Sequence, residues 1–247
     1  METTQYQILE QIQNSTKSEA KAEQSDSNHG QIFQSYNTIK ENFNVVFVTV
    51  QPNTDIPGIK ILHAYLREHG ITSRILVLPN YNDGMNSIIE KFFVEHKPTL
   101  IGLSILSEEF PIIQKLMQFL RSKFDFVTFM GGLHATIDPE KCLKYADYVL
   151  RGESEDTLLE ICQRMKEGKD FFDVSNLIYK RNGQIIKNNM RQPEENLDKY
   201  PIIEFLSPET YIFHNGTISL MDNYLFRKYT RYSGKFYGIT TTRGCNF

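Results

Sequence analysis

Cysteine is scarce in this sequence. The three in 247 residues, Cys142, Cys162 and Cys245, lie too far apart for a disulfide framework. Cys142 and Cys162 fall in stretches of helical spacing, where a lone cysteine serves as a small apolar residue. Long apolar runs are also missing: none approaches the roughly 18 to 20 residues that span a bilayer. The polar start METTQYQILEQ lacks the charged-then-apolar layout of a signal peptide, so the expectation is no membrane and a cytoplasmic location. Charge of one sign is lacking as well. A net charge of -3 gives no global attraction to nucleic acid or to an anionic surface. No G-x-x-x-x-G-K-[ST] loop is present and no G-x-G-x-x-G follows the first strand-like run, which disfavours nucleotide binding by those routes. A phosphoacceptor domain needs carboxylates after its first and third strands. Thr49-Val50-Gln51 and Ser104-Ile105-Leu106 supply none.

What is present suits a globular α/β protein. Hydrophobic residues make up 40% of the chain and aromatics 12%, enough for one full core with a smaller appended unit. Residues 1–42 are rich in Gln, Ser, Asn, Glu and Lys and read as a disordered polar leader. From Asn44 the pattern alternates. Val45 to Val50 is a continuous apolar run of strand length, and Ile56, Ile59, Leu62 and Leu66 follow at helical spacing before Gly70. Strands at 74–78, 100–105, 126–130 and 148–150, each followed by a helical pattern, complete the series, and the last helix runs from about Ser154 to Lys166. Continuous rather than alternating apolar strands imply a parallel sheet covered on both faces. The fold expected for residues 43–170 is therefore a doubly wound five-stranded α/β domain. Residues 171–240 should form a β-hairpin around Asn182-Gly183 and then a connector with Pro193, Pro201 and Pro208.

In such sheets ligands bind outside the carboxyl ends of the strands. Four loops bring small and polar residues to that edge: 51–58 with Asn53, Asp55, Pro57 and Gly58; 104–107 with Ser104 and Leu106; 131–136 with Gly131, Gly132, His134 and Thr136; and 151–155 with Gly152 and Glu153. Glycine beside short polar side chains lets a flat or phosphate-bearing ligand approach the backbone. Each residue also has a plainer reading, as a turn glycine, a helix cap or a first-turn acid.

In order and spacing, Pro57-Gly58, Pro98 to Ser104, Gly131 to Thr136, Asp138-Pro139-Glu140, Asp147, Arg151-Gly152-Glu153, Leu197-Asp198 and Thr242 to Cys245 resemble the cobalamin-binding radical S-adenosylmethionine enzymes across roughly residues 44–247. The resemblance implies a flavodoxin-like or Rossmann-like domain that holds cobalamin. Ser104-Ile105-Leu106 is similar to the motif lining the pocket of the nucleotide tail, and Gly131-Gly132 to the paired glycines where the tail passes. Many relatives carry D-x-H-x-x-G after the first strand, with the histidine on cobalt. Counting back from Gly58, this chain has Asn53 at the aspartate position and Asp55 at the histidine position. A histidine ligand from this loop is thus not expected, and the cofactor should bind with its own base displaced. His63 and His69 look like solvent-face or packing residues.

Arg243-Gly244-Cys245 is similar to the start of C-x-x-x-C-x-x-C, whose thiolates hold a [4Fe–4S] cluster that S-adenosylmethionine chelates. Cys245 is the candidate metal ligand. With Phe247 two residues later, the cluster, S-adenosylmethionine and the catalytic barrel are expected only in a longer parent, of which residues 241–247 would begin the radical domain. The parent would be an enzyme, commonly a methyltransferase acting on an unactivated carbon, and this piece alone not catalytic. The alternatives are a stand-alone cobalamin-binding or sensory module and a structural α/β domain without cobalamin. Arg227, Lys228, Arg231 and Lys235 interleave with Tyr224, Tyr229, Tyr232, Phe236 and Tyr237, a composition also found in nucleic-acid binders, but a solvated connector packing on the missing barrel is the better reading.

Overall fold

A computed structural model describes residues 43–231. The leader and Cys245 lie outside them. The central strands are β1 (Asn44–Thr49), β2 (Thr72–Val77), β3 (Leu100–Ser104), β4 (Val127–Gly131) and β5 (Tyr148–Leu150), all parallel, in the spatial order β2-β1-β3-β4-β5. Between them run α1 (Pro57–Glu68), α2 (Asn86–His96), α3 (Phe110–Lys123), the short α4 (Leu133–Ile137) and α5 (Pro139–Cys142), and then α6 (Glu155–Lys166) after β5.

Alternate residues of each strand enter two cores. Val45 and Phe47 pack with Ile59, Leu66, Leu158 and Cys162 of α1 and α6. Val46 and Val48 pack with Ile89, Phe93, Ile113 and Leu120 of α2 and α3, where Cys142 also sits. Both cysteines are fully buried free thiols, as their helical placement suggested. Burial pushes the Cys142 thiol up to about 12 and that of Cys162 higher still, so neither acts as a thiolate.

The α/β reading holds, but the sheet is wider than five strands. The expected hairpin, β6 (Leu177–Arg181) and β7 (Gln184–Lys187), joins the sheet antiparallel to β5. Part of the stretch read as a connector forms a second hairpin, β8 (Thr210–His214) and β9 (Thr217–Leu220), which adds to the opposite edge with β8 parallel to β2. The result is one nine-stranded sheet, β7-β6-β5-β4-β3-β1-β2-β8-β9. The helix α7 (Asn223–Tyr229) follows, with the Asp222 side chain accepting from the Leu225 amide. Both hairpins turn on Asn-Gly with positive φ at both residues, at Asn182 and Gly183 and again at Asn215 and Gly216. No helix among the described residues is long and apolar enough to cross a membrane.

The segment between β7 and β8 is held by buried polar side chains of α1. His63 is 1% exposed, with Nε2 2.9 Å from the Pro208 carbonyl and Nδ1 2.8 Å from Ser73 Oγ. Lys60 donates from Nζ to the Phe205 carbonyl at 2.7 Å and lies over the Phe226 ring. His63 is thus a packing residue. Burial, opposed by the Pro208 carbonyl and assisted by Arg67, holds its pKa down at about 4. The unfolded chain therefore binds a proton near pH 6.5 that the folded chain refuses until about pH 4, so stability is full above pH 6.5 and declines as pH falls through this window. Acidification from pH 7 to 4 should cost up to about 3 kcal/mol through this residue. Thermal unfolding of His63→Gln should show a visibly smaller loss over that range than the wild type.

Candidate functional site

The strand order reverses between β1 and β3. The chain leaves β1 toward β2 on one side and returns to β3 on the other, so the loops after these two strands part at the sheet's carboxyl edge, where folds of this topology form a ligand crevice. Loops 51–58, 104–109 and 131–136 surround it.

On the β3–β4 side the backbones meet closely. The Ile105 amide donates to the Gly131 carbonyl at 3.0 Å, and the His134 amide donates to the Ile105 carbonyl at 3.2 Å. Between them sits Gly132, with φ +89° and ψ -174°, a conformation open to glycine. A Cβ there would stand 2.8 Å from Ile105 N, 2.9 Å from Ile105 O and 3.0 Å from Ser104 Oγ. Gly132 therefore seals one loop against the other. Gly131, the last residue of β4, pairs with Ser104, the last of β3.

His134 opens a small polar cluster on this side. It is 9% exposed, its Nδ1 lies 3.1 Å from Ser107 Oγ, and its ring rests on that of Phe110 at 4.3 Å. Its Nε2 is buried with no hydrogen-bond partner. A buried nitrogen left bare costs free energy unless something arrives to satisfy it. Nearby, Glu109 is buried, and its carboxylate accepts from the Leu106 amide at 2.9 Å. Burial outweighs that bond and raises its pKa. Thr136 turns back to donate to the Gly132 carbonyl, while Leu133 and Ile137, one helical turn apart, expose apolar side chains at 60% and 67%.

The β1 loop is built differently. Asn53 is buried and accepts from the Asp55 amide at 3.0 Å, closing a tight side-chain turn. Thr54 is buried with its Oγ1 unpartnered. Asp55 does not point to an open position: it accepts from Thr230 Oγ1 at 3.0 Å and from the Arg231 amide at 2.7 Å. Pro57 starts α1, and Gly58 behind it is exposed with open space where a Cβ would stand.

Gly152 and Glu153, at the end of β5, face the segment after β7. A Cβ on Gly152 would reach Met190 Cε at 2.8 Å, and Glu153 accepts from the Glu194 amide through Oε2 and from Asn176 Nδ2 through its carbonyl. Glu153 lines a cavity of about 390 Å³ together with Asp156, Arg191, Glu194 and Tyr200. Ion pairs within the protein engage several of its charges: Lys199 bridges Asp156 and Glu194, and Arg191 bridges Glu160. The structure thus gathers Ser104, Leu106, Gly131, Gly132, His134 and Thr136 on one side of the crevice and Asn53, Asp55, Pro57 and Gly58 on the other. Gly152 and Glu153 stand apart.

The sequence places Ser107 in the loop at the ligand edge and Phe110 on the helix behind β3 without singling out either; in the structure both hold His134. Ser107 lies three residues beyond Ser104 in the same loop, a spacing that could have drawn attention to it. Among the described residues, no three His, Cys, Asp or Glu side chains converge as a metal site.

Gly58 and Gly132 give a contrast. Gly132→Ala should cost at least ~1–3 kcal/mol from its backbone conformation alone. Gly58→Ala should change stability by less than about 1 kcal/mol. Thermal unfolding of both variants checks this.

Comparison with known proteins fits this arrangement. Residues 43–162 match the B12 binding domain family. The chain is 27% identical over 161 residues to the anaerobic magnesium-protoporphyrin IX monomethyl ester cyclase of Rubrivivax gelatinosus, a match covering 62% of this chain and 29% of that protein. It is 27% identical over 169 residues to an uncharacterized methyltransferase of Pyrococcus horikoshii, covering 65% of this chain and 32% of the relative. The chain thus spans about a third of the length of these relatives. Among solved structures, the radical S-adenosylmethionine methyltransferase TsrM from Kitasatospora setae, with cobalamin and a [4Fe-4S] cluster bound, superposes with a TM-score of 0.55 at 17% identity over 64% of this chain and 30% of that one. The cobalamin-dependent S-adenosylmethionine radical enzyme OxsB, with aqua-cobalamin and S-adenosylmethionine bound, gives 0.54 at 16% identity over 75% and 27%. Those likenesses establish the shared fold. Residues 43–162, just under half of the chain, thus match the B12 binding domain family, and the fold is shared with cobalamin-dependent radical S-adenosylmethionine enzymes.

Proposed function

We propose that this chain binds cobalamin at the carboxyl edge of its sheet, between the loops after β1, β3 and β4, as one part of a longer radical S-adenosylmethionine enzyme. The observation that carries the reading is the bare Nε2 of His134, buried beside Gly132. It is a buried polar atom without a partner at the junction of the β3 and β4 loops.

The residues present fit the group. Gly132 lets the β3 and β4 loops meet backbone to backbone, Ser104 and Ser107 bring hydroxyls to that junction, and exposed Leu133 offers apolar area to a macrocycle. Thr54 Oγ1, also buried and bare, provides a second polar contact from the β1 loop. No histidine lies in residues 51–58, and the Asp55 carboxylate is already engaged, so this loop offers cobalt no imidazole. The loop would hold the cofactor without supplying a histidine to its metal.

When bound, cobalamin supplies a carrier for a methyl group, and the hard chemistry is the cofactor's. The chain's own task is to hold it. His134 fixes a polar group of the ligand while Ser107 sets the orientation of its ring. Gly132 keeps the loop ends sealed, and the apolar turn of α4 excludes water. Methyl transfer to an unactivated carbon, with Cys245 as the first thiolate of a [4Fe–4S] cluster, is the activity we assign to the parent protein. The methyltransferase among the relatives and the third of their length covered here support that reading.

The purified chain should retain hydroxocobalamin and methylcobalamin through a desalting column with a base-off absorbance spectrum, and Gly132→Trp should abolish retention. His134→Phe keeps the ring contact with Phe110 but removes both nitrogens. Its affinity should fall about tenfold, the worth of one buried polar contact, with little change in the stability of the cofactor-free protein. Failure of the wild type to retain cobalamin at concentrations well above micromolar would refute the proposal.

A further inference from the structure

The position at which the related cobalamin domains place a histidine is filled here by a side chain with a different task. Asp55 reaches across 175 residues of sequence to the point where the chain leaves α7. Thr230 closes α7 with its amide on the Phe226 carbonyl, and its backbone then turns extended. The next amide, that of Arg231, is the first beyond the helix, and it donates to Asp55 Oδ2 at 2.7 Å while Thr230 Oγ1 donates to Oδ1 at 3.0 Å. The residue before Asp55 joins in, the Thr54 amide donating to the Tyr229 carbonyl at 3.1 Å. One turn into α1, Lys60 lies over the ring of Phe226 in α7. Tyr229 is fixed from the other side, its hydroxyl 2.9 Å from His214 Nδ1 on β8.

The loop and the helix end therefore share hydrogen bonds that neither can keep alone. Asp55 is two-sided: Asn53 Oδ1 accepts its amide and so shapes the loop, while its carboxylate takes the donors of residues 230 and 231. Charge-assisted bonds of a carboxylate to an amide and a hydroxyl are among the stronger surface-accessible contacts. A ligand that orders one partner of such a pair must stabilise the other by the same coupling free energy.

We propose that Asp55 is a positioning residue that ties the shape of loop 51–58 to the path of the chain out of α7, so that cobalamin bound at this loop is felt at residues 223–231. The proposal rests on the cobalamin reading above. It makes the loop a joint between cofactor and downstream chain rather than a source of a cobalt ligand.

Two variants of the full chain test it. Asp55→Ala removes both acceptors, and Thr230→Val removes one donor far in sequence from the loop without altering the loop itself. Circular dichroism and thermal unfolding establish that each is folded. Hydroxocobalamin affinity should fall about tenfold in Asp55→Ala and about threefold in Thr230→Val, the scale expected for losing two bonds or one. Trypsin reads the other end of the joint, since Arg227, Lys228 and Arg231 all lie in the clasped segment. Cleavage there should be slowed severalfold by hydroxocobalamin in the wild type, be faster in both variants, and respond little to the cofactor in Asp55→Ala. Wild-type affinity in both variants, or cleavage indifferent to cobalamin in the wild type, overturns the proposal while leaving cobalamin binding intact. A wild-type chain that binds no cobalamin overturns the reading on which it rests, and this proposal with it.

Discussion

Everything at the functional edge depends on how β1 is paired. It lies between β2 and β3, and the two crossovers leave its neighbourhood in opposite directions, so α1 covers one face and α3 the other. The loops that enter those helices cannot close over each other. A ligand that spans the gap would meet short polar side chains and the starts of helices. A parallel sheet buried on both faces, with Phe47 and Val48 pointing to separate cores, keeps this geometry rigid. Gly102 in β3 serves the same end: a Cβ there would stand 2.7 Å from the Phe47 ring.

Two devices then shape the rim. On the β3–β4 side, backbone meets backbone, and Gly132 is the residue that permits it. On the β1 side, side chains of the loop and of α1 hold a distant segment. Lys60, His63 and Asp55 each bond to a group between residues 205 and 231. Burying a lysine and a histidine is costly, and burial lowers the Lys60 pKa to about 8 despite the attraction of Asp55. That expense makes sense if the segment must be kept in one place. The second hairpin supports the same conclusion, because it lengthens the sheet with a parallel strand whose neighbour, β2, lies more than 130 residues earlier.

The alternation of apolar runs and helical spacing made the five central strands legible, because a doubly buried strand has no polar face to confuse the pattern. Tyr148–Leu150 was found although only three residues long. The second hairpin escaped notice although His214-Asn215-Gly216-Thr217 carries the same Asn-Gly signal as Asn182-Gly183. Three nearby prolines drew the reading toward an irregular connector, and β9, with exposed Thr217 and Leu220, has little of a buried strand's composition. The short α4 was read as loop because five residues give too little periodicity. Gly131, Gly132 and His134 stand out in the sequence by order and spacing, and the structure brings them together beside Ile105. The engagement of Asp55 could not be read from the sequence, since its partners lie 175 and 176 residues away and backbone donors leave no trace in a sequence. Gly152 and Glu153 had the right composition, but their contacts with Met190 and Glu194 depend on the path of the chain after β7.

The central claim is one of place: cobalamin sits where the loops of β1, β3 and β4 converge. Amide hydrogen exchange of the whole chain, with and without hydroxocobalamin, tests it most directly. The account predicts slowed exchange concentrated in residues 50–58, 104–109 and 131–137, with transmitted protection at 223–231. Protection centred instead on the cavity beside Arg191 and Tyr200, or no protection at the strand ends under saturating cofactor, would contradict it.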